Sequence, residues 1–116
     1  KIISNNKSVI FIPDIDKWNK WEVSINDLIK EVDYAFLDAT FFNDGELNRD
    51  MSEIPHPFVK ESMNLFERLD LNHKKKIYFI HFNHTNPLLI DESDEQKEVL
   101  ESGFNISIQG KIISLK

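Results

Sequence analysis

Three short apolar runs constrain the fold of this chain most: Val9-Ile10-Phe11-Ile12, Tyr34-Ala35-Phe36-Leu37 and Ile77-Tyr78-Phe79-Ile80. Each is rich in β-branched and aromatic residues and lacks polar alternation, the pattern of strands covered on both faces. Between the runs the period changes. Trp18, Trp21, Ile25, Leu28 and Ile29 recur at helical spacing, with Ser24 placed to cap a helix over Ile25–Glu31. Pro55-His56-Pro57 opens a second helix, whose apolar positions Val59, Met63, Phe66 and Leu69 carry it to about Leu69. A third helix is predicted over Asp94–Ser102, with Gly103 as its left-handed stop. Lys1–Ser4 and Ser8–Ile12 read as a hairpin around Asn5-Asn6-Lys7, and Phe104–Ile108 and Lys111–Leu115 as two closing strands hinged at Gln109-Gly110. Asn43–Met51 is a polar excursion and His81–Leu89 a loop. The alternation predicts α/β or α+β layering, helices covering one face of a mixed sheet, in one unit over residues 1–116.

Composition narrows the function classes. A chain of 116 residues is the size of one domain and can bury a real core. Its net charge of −6 argues against a nucleic-acid backbone as main partner, which needs clustered Lys and Arg. The basic cluster Lys74-Lys75-Lys76 reads as a solvated turn. With no cysteine, any metal must be held by nitrogen and oxygen ligands. No window has the length of a membrane span and no signal peptide is visible, so the expected compartment is the cytoplasm. The chain opens at Lys1 rather than Met, which suggests an excised piece. Neither a glycine-rich phosphate loop nor a Gly-x-Ser-x-Gly elbow is present.

Chemistry-bearing residues gather where the strands stop. The run ending at Ile80 leads into His81-Phe82-Asn83-His84-Thr85-Asn86-Pro87, and the run ending at Ile12 leads into Pro13-Asp14-Ile15-Asp16. A strand end holds a side chain rigidly, which suits a binding site. Imidazole at one end and carboxylate at the other suit a divalent metal such as zinc, manganese or iron. His81 and Asp14 are therefore the candidate ligands, with Asp16 read as a local cap. Asp38 closes the middle run, a place from which a carboxylate can orient a ligand or form a structural hydrogen bond. His56, between two prolines at a helix start, can donate or accept a proton. His84 is a candidate additional ligand, and His73 reads as solvated surface. Asn83, Thr85 and Asn86 are expected to hold their loop by side-chain to backbone hydrogen bonds.

Taken in order, Ser8–Asp14, Val32–Phe42, Met51–Pro55 and Ile80–Pro87, then the acidic Asp91–Lys97 stretch, Gly103 and the closing strands, resemble the carboxyl-terminal half of metallo-β-lactamase-fold hydrolases. The variety they are most similar to is the coenzyme PQQ synthesis protein B family. The resemblance implies half of an αββα sandwich and a metal site along one edge. It implies that Asp14 matches a metal-bridging aspartate and His81 the last metal-binding histidine. The family's other signature, His-x-His-x-Asp-His, does not occur in this chain, so the site is expected to be incomplete. His84 stands where the family has asparagine, and Glu53 where it has a histidine, with His56 three positions later. The implied activity is hydrolysis of an ester or phosphodiester-type bond by metal-activated water, in the longer protein rather than in this piece. Its implied partner is the missing amino-terminal half, or a second copy of the chain, covering the inner face of the sheet. The rival reading is a small non-catalytic interaction module, with Trp18, Trp21 and the helix faces as its partner surface.

Overall fold

The computed structural model describes residues 2–3, 7–12, 15–18, 24–47, 50–51 and 54–107. Asp14, Trp21, Glu53 and the expected last strand Lys111–Leu115 lie outside the described residues. The three apolar runs are the inner strands of one sheet. In chain order the strands are β1 (Ile2–Ile3), β2 (Ser8–Ile12), β3 (Tyr34–Asp38), β4 (Ile77–Ile80) and β5 (Asn105–Ile106), and they lie side by side in that same order. β1 runs antiparallel to β2, while β2, β3, β4 and β5 are mutually parallel. The mixed sheet expected from the sequence is therefore present.

Each parallel step is bridged by helix: α1 (Ile25–Glu31), then α2 (Val59–Phe66) and α3 (Leu71–Lys74), then α4 (Asp94–Glu101). Parallel crossovers are almost always right-handed. Successive steps in one direction then put their helices on one face. The core agrees: Ile10, Ala35, Leu37, Ile77 and Phe79 of the strands share one cluster with Ile25, Ile29, Val59, Met63, Phe66 and Val99 of the helices. At about 1.5–3 kcal/mol for each large side chain removed from water, this layer is the main stabilising contact of the chain. The opposite face carries an aromatic row. Phe11 stands 6.4 Å from Phe36, which stacks on Tyr78 at 5.3 Å, centroid to centroid. That row lies outside the helix-bearing cluster, and Phe11 is 57% exposed.

Caps fix where the helices start. Ser24 accepts from Asp27 N–H at α1 and Ser93 from Gln96 N–H at α4. The second helix starts at Val59 rather than at Pro55 and ends at Phe66 rather than Leu69. Its first N–H groups are already engaged: Val59 and Lys60 donate to the carbonyls of Phe41 and Phe42, and Phe58 N–H donates to Glu61 Oε1. This stitching ties the start of α2 to the chain leaving β3 and holds the intervening Pro55-His56-Pro57 beside it. α3 was not expected; Asp70 caps it by accepting from His73 N–H. His73 is consequently half-buried, not solvated, and Lys74 ends the helix instead of lying in a turn. The His81–Leu89 loop contains a single 3-10 turn, Pro87–Leu89. Of the strand expected at Phe104–Ile108, the described residues show Asn105–Ile106.

Trp18 is a core residue, 8% exposed, donating from Nε1 to Ser62 Oγ at 2.8 Å and packed near Phe66. That placement withdraws it from the partner surface that the interaction-module reading requires. Among the described residues no helix is long and apolar enough to cross a membrane.

Candidate functional site

Because β2, β3 and β4 are parallel, their carboxyl ends share one edge. Ile12 lies opposite Leu37, and Asp38 opposite Ile80. Loops at that edge are the usual place for ligands in parallel sheets. Asp38 is the last residue of β3 and is fully buried. Both of its oxygens are occupied. Oδ1 accepts from Thr40 N–H at 2.8 Å and from the Thr40 hydroxyl at 2.7 Å. Oδ2 accepts from Ile15 N–H at 3.0 Å and lies 2.7 Å from His56 Nδ1. A buried carboxyl survives only with such partners. Here one of them reaches across from the chain that follows β2, and another from the segment that precedes α2.

His81 follows β4 directly and takes a left-handed backbone, φ 66°, which is uncommon for a residue with a side chain. Its Nδ1 lies 2.9 Å from Thr40 Oγ1. The Thr40 hydroxyl is also 3.4 Å from His56 Nδ1. Two imidazoles, with ring centroids 6.2 Å apart, are thus joined through one threonine and one aspartate. His81 further lines a pocket of about 430 Å³ with Phe82, Leu88, Leu89 and Ile106 among its apolar walls and Asp91 and Gln96 among its polar ones.

The loop after His81 is clamped from below. Asn83 N–H donates to Thr40 O, and buried Asn86 donates from Nδ2 to the carbonyls of Ala39, at 2.7 Å, and Thr40. Asn86 Oδ1 accepts from Leu88 N–H. Asn83 also donates to Thr85 Oγ1, whose hydroxyl donates to Glu46 Oε2 from the polar excursion. Of the expected local side-chain to backbone hydrogen bonds, the described residues show only that from Leu88 N–H to Asn86. Asn86 also reaches across the edge, and the loop is held at Asn83 and Thr85 by bonds between side chains instead.

His56, Asp38 and His81 therefore converge. His84 is exposed on the turn and takes no part in these hydrogen bonds. Asp16 accepts from the next residue's N–H, Lys17, at 2.7 Å. Asp14 lies outside the described residues. Thr40 and Glu46 are the residues that the sequence reading passed over. The signal for Thr40 was an Asp-x-Thr turn at a strand end; Glu46 had none, being joined to Thr85 only through tertiary folding.

Among the described residues no group of three or more His, Asp or Glu side chains is placed to hold a metal. His81 fits as one ligand of such a site: with Nδ1 engaged by Thr40, Nε2 is the nitrogen left to bind. A tight site needs about four ligands, more than the described residues bring together.

No family model matches the chain. Curated relatives do. Over 93 residues it is 27% identical to coenzyme PQQ synthesis protein B of Cupriavidus taiwanensis, covering 75% of this chain and 30% of that protein. It is 30% identical over 89 residues to the protein of the same name from Pseudomonas putida, covering 72% of this chain and 29% of that one. With the Gluconobacter oxydans protein, identity is 25% and coverage 94% of this chain and 37% of the relative. The chain thus spans about a third of the length of the curated relatives it matches. The crystal structure of Zn2+-bound PqqB from Methylobacterium extorquens superposes with a TM-score of 0.67 at 21% identity, over 90% of this chain and 39% of that chain. Sequence and fold together make this chain a relative of coenzyme PQQ synthesis protein B over most of its length, built as part of a metallo-β-lactamase fold.

Proposed function

We propose that the chain is the carboxyl-terminal part of a metal-dependent hydrolase acting on an ester or phosphodiester-type bond. The observation that carries this reading is the convergence of His56, Asp38 and His81 at the carboxyl edge of parallel strands. His81 serves as a ligand through Nε2, and Asp14, two positions after the last residue of β2 in the sequence, is assigned the carboxylate. A divalent metal, when bound, supplies Lewis-acid polarisation of substrate and water; zinc is the first choice because the related M. extorquens PqqB was solved with Zn2+ bound. His56 handles a proton. Asp38 Oδ2 accepts from His56 Nδ1–H, which turns the ring's other nitrogen into the exchanging one and steadies the ring when it becomes cationic. His84 is a supplementary ligand only if its turn moves toward the edge. The remaining ligands come from the amino-terminal part of the same domain, and this piece alone is inactive.

The test uses the longer protein, loaded with zinc, with bis-p-nitrophenyl phosphate and p-nitrophenyl acetate as probe substrates. His81→Ala is expected to lower bound zinc and activity together. His56→Ala is expected to lower activity by about 10²–10⁴-fold while zinc content stays, as for loss of a general acid–base group. Full activity in both variants overturns the reading.

A further inference from the structure

We propose that Thr40 is a positioning residue that sets the tautomer of His81. The inference rests on the reading of His81 as a ligand only for its functional consequence; the tautomer itself follows from hydrogen-bond counting. Both Asp38 oxygens accept from backbone N–H groups, Thr40 N–H on Oδ1 and Ile15 N–H on Oδ2. The carboxyl is therefore an acceptor toward its side-chain neighbours as well, and the Thr40 hydroxyl, 2.7 Å from Oδ1, donates its single proton there. Only lone pairs remain on Thr40 Oγ1 for His81 Nδ1 at 2.9 Å, so the proton in that bond belongs to the imidazole. A neutral His81 is then protonated at Nδ1, and its lone pair lies on Nε2.

Free in water, a neutral histidine favours the opposite form, with the proton on Nε2. The site thus holds His81 against its own preference, and an Asp38–Thr40–His81 chain is the means. Burial favours this control. Asp38 is fully buried and Thr40 only 8% exposed, so water does not compete for the hydroxyl as it would on the surface. The same hydroxyl lies 3.4 Å from His56 Nδ1, whose shorter contact is to Asp38 at 2.7 Å. One carboxylate therefore orders both rings, directly for His56 and through Thr40 for His81.

The experiment is a long-range 1H–15N correlation spectrum of the longer protein, metal-free, at a pH above the ordinary histidine range. The native protein is expected to show His81 with Nδ1 protonated and Nε2 bare. Thr40→Val, nearly equal in shape but unable to accept, is expected to return His81 to the Nε2–H form; Thr40→Ser is expected to restore the native pattern. In the same protein, Thr40→Val is expected to weaken zinc binding by about 10–100-fold, the usual effect of losing a hydrogen bond that orients a ligand. Native His81 protonated on Nε2 overturns the proposal without any variant, even if Thr40→Val fails to fold. An unchanged His81 pattern in Thr40→Val overturns it too. A tautomer that switches as expected while zinc affinity stays unchanged supports the control by Thr40 and instead sinks the ligand reading of His81.

Discussion

His81 combines two demands that can be pulled apart by substitution. Its backbone is left-handed, which costs a residue with a side chain about 1 kcal/mol, and asparagine tolerates that conformation better than most. His81→Asn is therefore expected to leave thermal stability within about 1 kcal/mol of native while removing the imidazole and the zinc affinity that depends on it. Differential scanning calorimetry and metal analysis on one sample check both halves. Asp38 behaves differently, because it is buried with four donors around it. Asp38→Asn puts an NH2 group against one pair of donors, so a loss of about 2–3 kcal/mol is expected in chemical denaturation, the cost of buried polar groups left unpaired. At this scale the sequence was legible in part. His81, His56 and Asp38 could be singled out by type and place, since each follows an apolar run or precedes a helix. Their mutual contacts could not, because Thr40 and His81 are brought together by strand pairing, which leaves no local pattern.

The three inner strands and helices α1 and α4 were legible almost to the residue, whereas α2 is shorter at both ends than its pattern suggested. The strands were legible because runs such as Val9–Ile12 and Ile77–Ile80 are apolar throughout, and bounding polar clusters mark their ends. α3, at four residues, is too short to show a period; none of its residues is fully buried, and the feature that marks its start is the Asp70 cap. Gly103 shows the opposite case, an element boundary written in one residue. Its φ is 99°, and its N–H donates to Leu100 O as α4 ends. A Cβ there would meet Leu71 Cδ1 at 2.7 Å, but Leu71 is 66% exposed and its tip can swing aside. Backbone strain therefore dominates over the clash. Gly103→Ala is expected to cost about 1–2 kcal/mol, and adding Leu71→Ala should recover little of it. A double variant restored to native stability in urea melts would assign the cost to the clash instead.

At the scale of the molecule, one sheet face is covered by helices and the other carries the Phe11–Phe36–Tyr78 row. We expect the chain to associate through that face, either with the rest of its domain or with a second copy, since a large exposed apolar patch on an isolated monomer is unfavourable. Light scattering after size exclusion decides it: a well-folded monomer at micromolar concentration argues for a self-contained unit. The same incompleteness sets the expectation for metal. The isolated chain should bind zinc weakly by calorimetry, and stoichiometric tight binding of two ions would mean that a complete site is already present.

The strands lie side by side in the order in which they occur in the chain. Doubly wound sheets reverse direction partway, so that early strands end up in the middle. Among the described residues each parallel strand joins a neighbour already synthesised, and no later strand lies between two earlier ones. The fold can therefore grow in one direction as the polypeptide leaves the ribosome, with β2 and β3 docked by α1 before β4 exists. Nascent chains halted after α2 should already protect the β2–β3 amides from hydrogen exchange, whereas His81, arriving with β4, finds the Asp38–Thr40 pair waiting for it.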